Sequence, residues 1–368
     1  MIESIRFANY RAFKDEGSLV LRPVTLLIGR NSSGKSSLCR LIHFLSFVNN
    51  HEVWASDAST IICPSRNYSD LFFKKTRFGL LIGADYGSDV GFTTNYYLDD
   101  QDEMKVSSRS VRNGDRKGKN ADAGELRNGS NSVIDGVLLK EVGLSNATFQ
   151  FDETHINSIR TMAKEVYRQA DAREVVSVAD DGATAYSLLL YSYLKRTSLI
   201  EDVALWMEQN LDGQRLSIRD SLDSYEFRIE RAGNSVRIQD VGQGISQILP
   251  IIVQTFIQRP NSVTIVEEPE LHMHPSAHAV VMERIANSAM KSGSKYVVET
   301  HSENMLLAVR RMVSRGQLQP EDVSISYVDM DEGQAVVRQI VVDNEGMLDW
   351  WPSGVFSESY DLLNDILV

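Results

Sequence analysis

Gly29, Gly34, Lys35 and Ser36 stand in the order and spacing Gly-x-x-x-x-Gly-Lys-Ser. That pattern suits a turn that wraps a phosphate. The glycines let backbone N–H groups point inward, and a helix opening near the second glycine adds the positive end of its dipole. Lys35 then reaches the β- and γ-phosphates of a nucleotide, and the Ser36 hydroxyl ligates Mg²⁺. The whole turn, Gly29-Arg30-Asn31-Ser32-Ser33-Gly34-Lys35-Ser36-Ser37, supplies the candidate phosphate contacts.

A second group of residues has the complementary chemistry. Val263-Thr264-Ile265-Val266-Glu267-Glu268 reads as a buried strand that ends in two carboxylates. In open α/β sheets ligands bind at such C-terminal strand ends. One carboxylate can hold Mg²⁺ and the other can polarise an attacking water. His301 follows another buried strand, and neighbouring strand ends share a crevice, so its imidazole is placed for the γ-phosphate. Gly242-Gln243-Gly244 opens a helix about twenty residues before the carboxylate strand. Its N–H groups form a second anion-binding surface, although a plain helix-capping turn explains this segment about as well. His272, His274 and His278 resemble zinc ligands in type, but a turn followed by a helix from Pro275 is the preferred reading. Asp329 and Asp331 end a strand and read as a hairpin turn rather than as a nuclease centre.

These side chains need rigid elements behind them. Val24–Ile28 is a short continuous apolar run, as in a strand buried on both faces, and a helix follows with Leu38, Leu41, Ile42 and Leu45. Strands are expected at 78–82, 91–98, 225–230, 235–238, 263–266, 296–298 and 323–328. Helical spacing is expected at 156–166, 183–210, 244–258, 277–290 and 304–314. Strand–helix alternation in the C-terminal half predicts a parallel sheet with helices on both faces. Residues 99–132 are poor in apolar side chains and read as a long flexible polar loop, with Arg109, Arg112, Arg116, Lys117 and Lys119 available to phosphates.

Composition narrows the classes. The chain has 368 residues, 42% hydrophobic and 24% charged, which excludes global disorder. A net charge of −12 excludes a surface that is basic all over, leaving only local patches for nucleic acid. Two cysteines cannot build a disulfide framework or a four-cysteine zinc site. The longest apolar stretch, 248–257, is about half of the ~20 residues a bilayer crossing needs. The N-terminus lacks a signal-type apolar region, so a cytoplasmic location is expected. A GTP-specific enzyme is disfavoured, since no Asn-Lys-x-Asp motif occurs.

The four elements, in order, resemble the Walker A, signature, Walker B and switch-histidine motifs of an ABC-type ATPase head. Asn9-Tyr10-Arg11-Ala12-Phe13, the Gly29–Ser37 loop, Glu267-Glu268-Pro269-Glu270-Leu271-His272-Met273-His274-Pro275 and Glu299-Thr300-His301-Ser302-Glu303-Asn304 are similar to those of the OLD/RecF-like AAA ATPases. Trp350-Trp351-Pro352-Ser353-Gly354-Val355-Phe356 resembles the tail of a single-domain branch without a TOPRIM nuclease.

The resemblance covers about 1–80 and 236–356. It departs at the signature, where Gly242 replaces a serine and only Gly244 matches outright. It implies an α/β fold: a mostly parallel sheet flanked by helices, an antiparallel β lobe and a large internal insertion. The implied division is 1–80 and 236–345 for the head, 81–235 for the inserted lobe and 346–368 for a tail. The implied activity is ATP hydrolysis with Mg²⁺. Glu268, His301 and Lys35 act catalytically, Ser36 and Glu267 sit on the metal, and Arg11 joins the nucleotide contacts. The implied partners are a second copy, in a nucleotide-sandwich dimer, and an effector such as a nuclease or toxin encoded nearby, in anti-phage defence. The alternative is a RecF-like DNA-binding ATPase of DNA maintenance. No intrinsic nuclease activity and no membrane partner are expected.

Overall fold

The computed structural model describes residues 1–50, 67–120, 142–144, 149–222 and 224–356. It divides into two compact units, Met1–Glu153 with Ser324–Ile340, and Thr154–Val323 with Val341–Val368.

In the first unit β1 (Ser4–Ala8), β2 (Gly17–Val20), β4 (Phe78–Asp85), β5 (Val90–Leu98), β6 (Met104–Asn113) and β7 (Arg116–Asn120) form one antiparallel sheet, ordered β2-β1-β4-β5-β6-β7. β3 (Val24–Gly29) is buried at every position, as its unbroken apolar run requires. It belongs to the order β16-β15-β3, where β15 (Val323–Asp331) and β16 (Gln334–Ile340) are an antiparallel hairpin. A helix, Lys35–Asn50, follows the loop after β3 and buries Leu38, Leu41, Ile42, Phe44 and Leu45.

The sequence expectation of a flexible loop over 99–132 is wrong for 104–120, which are β6 and β7; residues 121–141 lie outside the described residues. The signal lay in two short alternations, out of phase across a bulge at Ser107, rather than in apolar content. Met104, Val106, Arg109 and Val111 take the buried positions, and Asn113-Gly114-Asp115-Arg116 makes the turn, with Gly114 at φ 58°. Arg109 is itself buried beside Tyr96, whose phenol burial pushes up to about 12 against the pull of that guanidinium. Arg112 is bound to Asp85 (3.2 Å) and the Ser88 carbonyl (2.8 Å). Val111→Ala should therefore cost about 1–3 kcal/mol in denaturant unfolding, while Lys117→Ala, on an exposed position, should be near neutral. Equal and negligible effects would restore the loop reading.

In the second unit β13 (Ser262–Glu267) and β14 (Lys295–Glu299) are parallel, with Glu267 level with Glu299, in the order β14-β13-β8, where β8 is Asp152–Ile156. Helices Gln243–Ile257, Pro275–Ser292 and Glu303–Ser314 stand where the periodicity predicts them. A small sheet of β10 (Arg215–Ser221), β11 (Ser224–Arg231) and β12 (Asn234–Arg237), with β9 (Tyr167–Arg168) beside β11, completes the unit. The expected 183–210 helix is two, Ala183–Lys195 and Leu199–Asn210, broken where Arg196 turns to φ 56°.

The expected helix over 156–166 is absent, and those residues run as irregular chain after β8. Their backbone donors go elsewhere: Asn157 N–H to the Asp180 carbonyl and Thr161 N–H to that of Asp181. Ile159, one of the apolar residues behind the helical spacing, is 82% exposed, so the pattern is not a buried stripe. Among the described residues no helix is long and apolar enough to cross a membrane.

Candidate active site

The phosphate loop lies in the first unit, between β3 and the Lys35–Asn50 helix. A Cβ at Gly29 would meet the Val328 carbonyl oxygen at 2.1 Å, and one at Gly34 (φ +111°) the Phe13 ring at 2.9 Å. Only glycine fits at either place. Ser32 takes a left-handed φ of 61°, and the Ser33 N–H returns to the Arg30 carbonyl, so the chain curls tightly. The Lys35 ammonium, 4% exposed, donates to the carbonyls of Gly29 (3.0 Å) and Arg30 (2.9 Å), which holds a positive charge inside that curl.

The Asn9–Phe13 segment braces this loop from outside. Tyr10 donates its hydroxyl to the Ser37 carbonyl at 3.1 Å, and Arg11, at φ 50°, lies over the Tyr10 ring at 5.9 Å. The structure thus groups Arg11 and the loop residues Gly29 to Ser37 in one unit.

The second unit holds the acidic strand end, His301 and the Gly242–Gly244 turn. Glu267 closes β13, and its carboxylate meets the His155 ring at 3.0 Å. Glu268 has φ +41°, costly for a side-chain-bearing residue. Its N–H donates to the Glu299 carbonyl at 2.8 Å, and its own carbonyl accepts from Leu271 N–H at 3.1 Å. One oxygen of Glu270 accepts from the Thr300 hydroxyl (2.8 Å) and the His301 N–H (2.5 Å). That bond anchors the backbone of His301 while its imidazole stays exposed.

Two of the three clustered histidines take separate hydrogen bonds. His274 caps the Pro275–Ser292 helix by accepting from the Ser276 N–H, and His278 shares a hydrogen bond with Ser302 at 2.8 Å. Asp331 pairs with Arg338 at 2.6 Å across the β15–β16 hairpin, as the turn reading expects.

Gly242 and Gln243 are exposed at the start of the Gln243–Ile257 helix. Gly244 is confined instead: a Cβ there would stand 2.6 Å from the His272 carbonyl oxygen, whereas one at Gly242 meets nothing within 4 Å. Gly244→Ala should therefore lower the melting temperature, and Gly242→Ala should not. Substitutions at Gly242 are the clean probe of what this turn does for a second molecule. A thermal shift at Gly242→Ala as large as at Gly244→Ala would refute this distinction.

Three residues of this neighbourhood were not legible in the sequence. His155 stands beside Glu267. Arg160, 2% exposed, donates to the carbonyls of Glu267 (2.7 Å) and Glu268 (2.9 Å). Burial pushes its guanidinium down to about 10, opposed by Glu270, Glu268 and Glu267. Gln247 is the third, a buried amide in an apolar helix, which was the one available signal.

Fold and loop together define an ABC-type P-loop ATPase head. The chain belongs to the family described as "AAA domain, putative AbiEii toxin, Type IV TA system", whose model matches residues 24–308. A family described as a protein of unknown function matches 318–366. An Smc head bound to the C-winged helix domain of ScpA has the same fold. Its TM-score is 0.53 at 13% identity, covering 92% of this chain and 97% of that one. An SMC head domain from Thermotoga maritima aligns with a TM-score of 0.47 at 11% identity, over 93% and 99%. A search of curated proteins returns no match.

Proposed function

We propose that this chain binds ATP with Mg²⁺ and hydrolyses it, pairing face to face with a second copy and controlling a partner effector in prokaryotic anti-phage defence. The observation that carries the reading is the Gly29–Ser37 loop, a curl closed to side chains at both glycines with a buried ammonium inside. Such a loop suits a chain of phosphate oxygens and little else. Ser36 and Glu267 would hold Mg²⁺, whose bound charge offsets that of the phosphates.

The protein's own groups supply the rest. Lys35 neutralises the β- and γ-phosphates, Arg11 adds a contact from the bracing turn, and Glu268 takes a proton from the attacking water. His301 hydrogen-bonds the γ-phosphate. Gly242 and Gln243 offer N–H groups to the nucleotide of the second copy, so ATP becomes part of the interface and hydrolysis loosens it.

The OLD/RecF-like motifs and the family's description as a putative toxin support a defence role. The Smc head crystallised with a winged-helix domain of ScpA supports a protein partner for this fold. We assign no nuclease activity to the chain, because Asp331 is paired with Arg338 in a hairpin.

The test is ATP binding by calorimetry and phosphate release by purified protein, with Mg²⁺ and with a chelator, beside size-exclusion chromatography with and without ATP. No ATP binding refutes the reading. DNA-stimulated turnover with a steep salt dependence would instead favour the RecF-like alternative.

A further inference from the structure

Arg160 is an expensive residue to bury. Its Nε has no hydrogen-bond partner among the described residues, and its neighbours are backbone carbonyls rather than a closely paired carboxylate. An apolar side chain of similar size would pack there at lower cost. What the guanidinium gains is geometric. Its Nη2 donates to two consecutive carbonyls, those of Glu267 and Glu268, and so clamps the peptide that sets the Glu268 φ of +41°. A planar, permanently charged fork suits that clamp, and a lysine ammonium does not reproduce it.

The same residue is bound to the Gln243–Ile257 helix. Nη1 donates to the Gln247 carbonyl (3.3 Å), the Arg160 N–H donates to Gln247 Oε1 (3.2 Å), and Gln247 Nε2 donates back to the Arg160 carbonyl (2.8 Å). Gln247 lies about one turn beyond Gly242–Gly244. One buried side chain therefore bonds at one end to the helix that opens with the signature turn and at the other to the backbone of the hydrolytic carboxylate.

We propose that Arg160, seated by Gln247, is a positioning residue that makes the Glu268 carboxylate competent only when the signature helix is in place. This rests on the ATPase reading and deepens it: the signature turn reports its state to Glu268 within the same chain, through Arg160.

The experiment uses the full chain and three variants, Arg160→Lys, Arg160→Ala and Gln247→Ala. Melting temperature, ATP affinity, KM and kcat are measured for each. Arg160→Lys should lose about 10- to 100-fold in kcat, with ATP affinity and KM within about threefold of the parent. Gln247→Ala, which loosens the seat and leaves the fork, should lose less in kcat, again with KM held. Millimolar guanidinium should restore part of the kcat of Arg160→Ala, and equal urea should not.

Folded Arg160 variants with parental kcat would overturn the proposal. So would losses that follow the melting temperature with no guanidinium rescue. If Arg160→Ala fails to fold, Arg160→Lys and Gln247→Ala decide by the same split. A parent protein that neither binds nor hydrolyses ATP refutes the ATPase reading itself, whereas an active parent with unaffected variants refutes only the link.

Discussion

Glu268→Gln is expected to lower ATP hydrolysis by about 10²-fold or more while leaving ATP binding intact. The amide keeps the shape and removes the proton acceptor. The backbone around it is held independently of the carboxylate, by Glu299 from one side and Arg160 from the other, so the substitution does not relax the turn. With hydrolysis blocked, ATP should accumulate at the interface and hold two copies together. On size-exclusion chromatography the variant should elute as a larger species in ATP and as the smaller one in ADP. Parental turnover would remove Glu268 from the chemistry, and unchanged elution in ATP would count against the sandwich dimer.

Lys35→Ala is expected to weaken ATP binding by about 10- to 100-fold or more and to abolish measurable turnover, because charge-assisted hydrogen bonds to phosphate are among the strongest a protein makes. The lysine also braces the loop through the Gly29 and Arg30 carbonyls, so its removal takes away a charge and two struts at once. Circular dichroism should be unchanged, since the loop is held as well by the Tyr10 hydroxyl bond to the Ser37 carbonyl and by the Ser33 N–H bond to the Arg30 carbonyl. Calorimetric titration with ATP reads the effect, and parental affinity would refute the assigned role.

The legible parts of this chain are those where one physical signal dominates. Val24–Ile28, Val263–Val266 and Tyr296–Val298 are continuous apolar runs. Such runs require burial on both faces, and all three are interior strands. The phosphate loop was legible because glycine spacing and a lysine leave few alternatives.

The misread segments are those where tertiary contacts override local composition. A bulge at Ser107 shifts the inward phase of β6 between Val106 and Arg109, and one inward residue is an arginine, so its alternation was hidden. Residues 156–166 have helical spacing, yet backbone bonds of Asn157 and Thr161 go to the Asp180–Asp181 turn, twenty or more positions along the chain. Arg160 is invisible for the same reason, and the glutamine in an apolar helix that marks Gln247 does not say what it meets: only the long-range fold brings the two together.

The Glu270 carboxylate has a kinetic consequence. Because one of its oxygens bonds both Thr300 and His301, the turn after β13 and the turn after β14 are fastened to each other. If Glu268 activates water and His301 binds the γ-phosphate as proposed, these two turns should move together rather than disengage in sequence. Under that proposal, loss of the terminal phosphate at His301 should be felt at Glu268 without an intermediate in which one has let go and the other has not. Release after hydrolysis should consequently appear as one exponential phase with no lag, and cutting the fastening with Glu270→Ala, which removes the accepting oxygen, should split it into two.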